Sequence, residues 1–87
     1  MNKSYIEKDK ELVPFLLAAS NNFLLRFERH FVKNGIVYWE FTPAKEAERL
    51  IEKLLRKSEP HIPVKDVFEA INFFWRTVEN EKRREKK

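Results

Sequence analysis

A single Asn-Gly step constrains this chain more than any other feature. Gly35 is the only glycine among 87 residues, and with Asn34 it separates two runs rich in aromatic and β-branched side chains, residues 23–32 and 36–41. Asn-Gly between such runs is the strongest short-range hairpin signal, because both residues accept the positive φ of a tight turn. Two registers are open. A two-residue turn sets Glu28 opposite Phe41 and His30 opposite Trp39, mixing polar groups into the apolar face. A three-residue loop, with Gly35 as a G1 bulge, pairs Phe31 with Val37, Arg29 with Trp39 and Phe27 with Phe41. One face then reads Leu25, Phe27, Phe31, Val37, Trp39 and Phe41. Because a one-residue slip turns every side chain over, the second register is expected.

Helical patterns flank the hairpin. Residues 12–22 carry a stripe of Leu12, Phe15, Leu16 and Ala19 widened by Val13 and Leu17, so this helix packs on more than one side. Pro14 is tolerated only in a first turn, which puts the N-cap near Lys10 or Glu11. Asn21-Asn22 supplies residues that close a helix in the left-handed conformation. Thr42-Pro43 reads as N-cap and first helical position, followed by Ala44, Ala47, Leu50, Ile51, Leu54 and Leu55 through Lys57. After the stiff connector Pro60-His61-Ile62-Pro63, a third helix starts near Val64. Its expected core face is Val64, Val67, Phe68, Ile71, Phe74, Trp75 and Val78. Residues 3–8 read as a short edge strand with Tyr5 and Glu7 on one face. Ser4 and Glu7 also match a capping box, so an early helix start competes. The expected fold is α+β, ordered β-α-β-β-α-α, with three helices over one face of a small antiparallel sheet.

Charge divides the chain at residue 81. It carries 18 Lys and Arg against 14 Asp and Glu, and residues 82–87 hold five of the bases and one acid. Removing these leaves 13 of each sign: a neutral domain over 1–81 and a basic tail over 82–87. A uniformly basic surface would indicate nucleic acid; a tail does so less. Three readings of it stand: a solvated helix end, a basic arm and a solubility feature. No cysteine is present, so thiolate chemistry is excluded. The N-terminus lacks an apolar signal region, and no apolar run approaches a membrane span. A cytoplasmic protein is expected. Abundant Glu and Lys, with no Gln or Cys, also resemble the composition of heat-tolerant proteins.

Chemistry finds little equipment. His30 and His61 lack converging third and fourth ligands for zinc. No serine sits in an elbow motif, and one glycine cannot build a phosphate loop. Neither a catalytic function nor a cofactor or small-molecule substrate is expected. Phe73 is the outlier of the third helix, lying among polar residues away from the expected core face. It reads either as a lone exposed ring or as the centre of a partner contact with Glu69 and Arg76. Arg29 beside Trp39 reads as a cation–π pair. The outer face of the hairpin, with Arg26, His30 and Tyr38, is weakened for anion binding by Glu28 opposite Glu40.

The segments Asp9-Lys10-Glu11-Leu12 with Phe15-Leu16-Leu17-Ala18, Phe27-Glu28-Arg29, Val37-Tyr38-Trp39-Glu40-Phe41, and Ile62-Pro63-Val64 with Ala70-Ile71 together resemble a family of short uncharacterised domains from phage and bacterial mobile genomes. The family usually has Thr or Ser at the place of Asp9 and glycine near Asn21-Asn22, and this chain departs at both. The resemblance implies the same element order and a mobile-element setting, and carries no activity. The expected function is that of a small accessory protein acting by protein–protein contact, with a second copy as one partner. The alternative is a nucleic-acid-binding factor using Lys82, Arg83, Arg84, Lys86 and Lys87 with Arg26, His30 and Lys33.

Overall fold

A computed structural model describes residues 3–56 and 62–85 of the chain. Its elements are β1 (Tyr5–Glu7), α1 (Leu12–Ala19), β2 (Arg26–Lys33), β3 (Ile36–Thr42), α2 (Ala44–Leu55) and α3 (Val64–Glu85). The three antiparallel strands form one sheet in the order β1-β3-β2, which makes the chain an α+β protein. The edge strand at residues 5–7 is real: Tyr5 pairs with Phe41 and Glu7 with Trp39. Glu7 therefore does not close a capping box on Ser4. It accepts the Tyr5 hydroxyl at 2.6 Å and the backbone N–H groups of Lys8 and Asp9. Burial, and then the Glu7 carboxylate, push the Tyr5 hydroxyl pKa well above its ordinary value.

The hairpin register departs from expectation. Asn34 (φ 54°) and Gly35 (φ 76°) form a two-residue turn, the geometry whose twist matches that of the flanking strands. Lys33 pairs with Ile36, Val32 with Val37, Phe31 with Tyr38 and His30 with Trp39. The bulge lies at Glu28, between Phe27 and Arg29, instead of at Gly35. Beyond it Phe27 returns to Phe41 and Arg26 to Thr42. The inward face thus carries Phe27, His30, Val32, Val37, Trp39 and Phe41. Phe31 joins Tyr38 on the outward face, with ring centroids 5.5 Å apart. Both constraints are met at once: the turn keeps its preferred geometry, and one extra residue restores the Phe27–Phe41 pair.

All three helices join one core on the inward face of the sheet. Val13, Leu16, Leu17, Ala18 and Ala19 of α1, Ala47 and Leu50 of α2, and Ala70 and Phe74 of α3 pack with Leu25, Trp39 and Phe41. Asp9 starts α1, its Oδ1 accepting the N–H groups of Glu11 (2.7 Å) and Leu12 (3.0 Å). Asn21-Asn22 does not take the left-handed form, since Asn34 is the only non-glycine residue with positive φ among those described. Instead α1 ends in tightened turns, Asn21 and Asn22 donating to Ala18 and Ala19. The Asn22 amide also bonds Ala18 O and Asp66. Thr42 remains the last residue of β3, its hydroxyl donating to Glu28, so the N-cap of α2 falls on Pro43.

The backbone N–H groups of Glu11 and Leu12 hold the Asp9 carboxyl below its ordinary value. A lowered carboxyl stabilises the fold above its unfolded-state pKa, and that stability is lost as pH falls through the folded value. Asp9→Asn should lower the melting temperature at neutral pH, and the gap to the parent chain should close on acidification. Melts followed by circular dichroism between neutral pH and pH 3 check this.

Candidate functional site: the exposed flank of the third helix

Helix α3 has more apolar residues than its core contact can use. Ala70, Phe74 and Thr77 are buried, and the Glu81 side chain is mostly covered. They recur at steps of four, three and four, which defines the face laid on α1 and the sheet. Two rings hold it there. Phe74 stacks on Trp39 at 5.3 Å, and Phe73 meets Trp39 and Phe27 edge-on at 5.9 and 6.1 Å. Ala70 is small enough to let the helix approach, so the face centres on Ala70 and Phe74.

This rotation keeps part of the expected core face, since Phe74 is buried and Val67 and Val78 pack against the core, and corrects the rest. Val64, Phe68 and Trp75 are 68, 62 and 46 % exposed, whereas Phe74 is 4 %. Together with half-buried Ile71 and Val78 they form one stripe at steps of four, three, four and three. That spacing keeps the five on one flank of the helix, with Val78 at its inner edge also packed against the core. Beside its C-terminal half, Trp75 and Val78 border a shallow groove of about 240 Å³ closed by Val32, Ile36 and Val37 of the hairpin. An apolar strip bounded by polar residues is the ordinary form of a contact surface.

The residues singled out from sequence fall differently. Phe73, Glu69 and Arg76 do share one side of α3, and Phe73 is 42 % exposed. Yet the Phe73 ring is partly spent on Phe27 and Trp39, on the flank opposite the stripe. It is a rim residue of the core and not an isolated ring. The basic residues do not converge. Arg26 and Lys33 lie at opposite ends of β2 on the outward face, whereas His30 turns inward against Trp39 (5.5 Å) with its Nε2 3.6 Å from Glu81. Lys82, Arg83 and Arg84 continue α3, pointing in three directions at about 100° per residue. Arg84 pairs with Glu81 at 3.1 Å. Lys86, Lys87 and His61 lie outside the described residues.

Two electrostatic expectations also change with the register. Arg29 does not meet Trp39; its guanidinium lies 4.8 Å over Phe31 and bonds Glu40 at 2.7 Å on the outward face. Glu28 and Glu40 no longer oppose each other, since Glu28 sits in the bulge and accepts from Thr42. Bonds from Ser4 and then Arg29 hold the Glu40 carboxyl below its ordinary value. No three His, Asp or Glu side chains gather into a metal-binding group among the described residues, and none of their helices is long and apolar enough to cross a membrane. Comparison with protein-family models, curated proteins and solved structures finds no match.

Sequence reasoning missed the stripe because it placed Val64, Phe68 and Trp75 on the same face as Val67 and Phe74. The 4-3-4-3 spacing from Val64 to Val78 was visible, as was the smaller Ala70/Phe74/Thr77 series beside it. Phe74→Ala should cost about 3–5 kcal/mol, the usual range for an emptied aromatic site. Phe68→Ser should stay within about 0.5 kcal/mol in protein dilute enough to be monomeric, as surface substitutions do. Urea unfolding of the two variants measures both.

Proposed function

We propose that this chain is a small non-catalytic accessory protein that works by protein–protein contact, through the exposed flank of α3. One observation carries the reading: Val64, Phe68, Ile71, Trp75 and Val78 form a helical seam whose larger side chains face solvent. Aromatic side chains at the centre of such a surface supply most of the binding energy when a partner excludes water from them. The resemblance to short mobile-element domains is compatible with an accessory role and adds no chemistry to it.

A second reading rests on the outward face of the sheet. The stacked Phe31 and Tyr38 rings, with Arg29 over Phe31 and Lys33 at the strand end, provide a ring-and-cation surface of the kind that holds unpaired bases. Arg29 is already neutralised by Glu40, which leaves the first reading favoured. Anisotropy of a labelled single strand across a salt series separates the two. Binding that weakens steeply with salt, and is lost in Phe31→Ala, favours nucleic acid; no binding at low salt removes it.

The contact reading is tested by placing a photoreactive amino acid at position 68 in the source cell, with exposed position 48 on α2 as control. Covalent adducts above the 10.6 kDa chain are expected from position 68 and not from position 48. Equal adducts from both positions, or none, would overturn the reading.

A further inference from the structure

We propose that the α3 flank is occupied by a second copy of this chain, docked antiparallel about a two-fold axis near Asn72. The inference rests on the contact reading above and adds the identity and direction of the partner. Along the solvent edge of the stripe, Lys65, Asn72 and Glu79 follow at intervals of seven residues, and all three are exposed. Neither Lys65 nor Glu79 joins an ion pair among the described residues. Asn72 lies midway between them. Antiparallel docking therefore sets Lys65 beside the partner's Glu79, twice, on the two sides of the axis. Parallel docking about a two-fold axis leaves the equivalent Lys65 and Glu79 of the two copies on opposite sides of the seam, where they form no pair.

The apolar side chains fit the same arrangement. In an antiparallel seam, Phe68 faces the partner's Val78 and Trp75 faces the partner's Ile71, so a large group meets a smaller one in each layer. The groove between Trp75, Val78, Val37 and the hairpin tip lies where the partner's Phe68 ring arrives. A two-fold contact of this kind is self-complementary and closed, so it ends at the dimer. The stripe from Val64 to Val78 is only about 21 Å long at 1.5 Å per residue. Such a short seam falls at the small end of specific interfaces, where association is weak and reversible.

Sedimentation equilibrium of the full chain, with the single variants Lys65→Glu and Glu79→Lys and the double variant, tests the inference. The parent chain should approach twice 10.6 kDa as its concentration is raised. Each single change should weaken the dimer roughly tenfold by reversing both ion pairs, and the double variant should recover the parent affinity. A parent chain that stays monomeric throughout, single variants that associate like the parent, or a double variant that stays weak would each overturn it. A monomeric parent combined with a position-68 adduct of another mass removes the second copy and leaves the contact reading standing. A complete lack of adducts removes both.

Discussion

The grip on the Trp39 indole is the constraint from which the rest of this structure follows. Trp39 is fully buried at the centre of β3, with Phe74 stacked on it, Phe73 and Phe27 tilted against it, and His30 beside it. Its indole Nε1 is buried without a hydrogen-bond partner among the described residues. Leaving such a donor unmet costs about 1–3 kcal/mol, so the surrounding ring packing has to outweigh that cost. The rings that supply this packing come from two elements, β2 and α3. They fix at once the register of the hairpin and the rotation of the third helix.

The hairpin shows how local and tertiary preferences are reconciled. Asn34-Gly35 favours a two-residue turn by backbone geometry alone. The core needs Phe27 beside Phe41, which that turn cannot deliver over seven paired residues. A bulge at Glu28 satisfies both, and the turn stays where its chemistry is best. The sequence makes the existence of the hairpin plain, along with its turn residues and the Phe27–Phe41 pair. It does not reveal which strand absorbs the extra residue. Period-two alternation reports only the face of each side chain, and a bulge resets that count silently. The outcome matters for the outward surface, because it moves Phe31 out beside Tyr38 and brings His30 in toward Glu81.

Helix α3 was legible in its start and less so in its orientation. Its apolar residues span more of the helix circumference than one contact can cover, so two stripes compete for the core. Apolar periodicity places Phe68, Phe74 and Trp75 together on one face. Packing selects Ala70 and Phe74, because a small residue brings the helix axis close enough for Phe74 to lie flat on Trp39. Close approach at one ring outweighs greater bulk held further away, since dispersion gains fall steeply with a gap of even 1 Å. Phe68 and Trp75 are consequently left outside. Phe73 illustrates the same point from the other flank: a wheel centred on the wrong stripe makes a core-rim residue look isolated.

A chain of this length has little surface to spare, and that bears on what the exposed stripe is for. Small domains bury a lower fraction of their surface than large ones, so unused apolar side chains are costly in solubility. Glu46 and Arg49 bond each other on α2, Arg56 pairs with Glu52, and Arg84 with Glu81. These exposed pairs add little stability but keep most of the surface polar. The basic last turn of α3 complements the negative end of its helix dipole, which gives Lys82, Arg83 and Arg84 a role without any anionic ligand. Leu24 and Leu55 are more exposed still, at 86 and 73 %, and Ile6 and Phe73 are also open to solvent; what sets Val64, Phe68 and Trp75 apart is that they follow one another along one flank of one helix. A chain selected only for folding would gain solubility by placing Lys or Glu at position 68, whereas Trp75 also packs edge-on against the core ring Phe74 at 5.1 Å. That Phe stands at position 68 instead, 62 % exposed, is the observation in favour of the proposed contact.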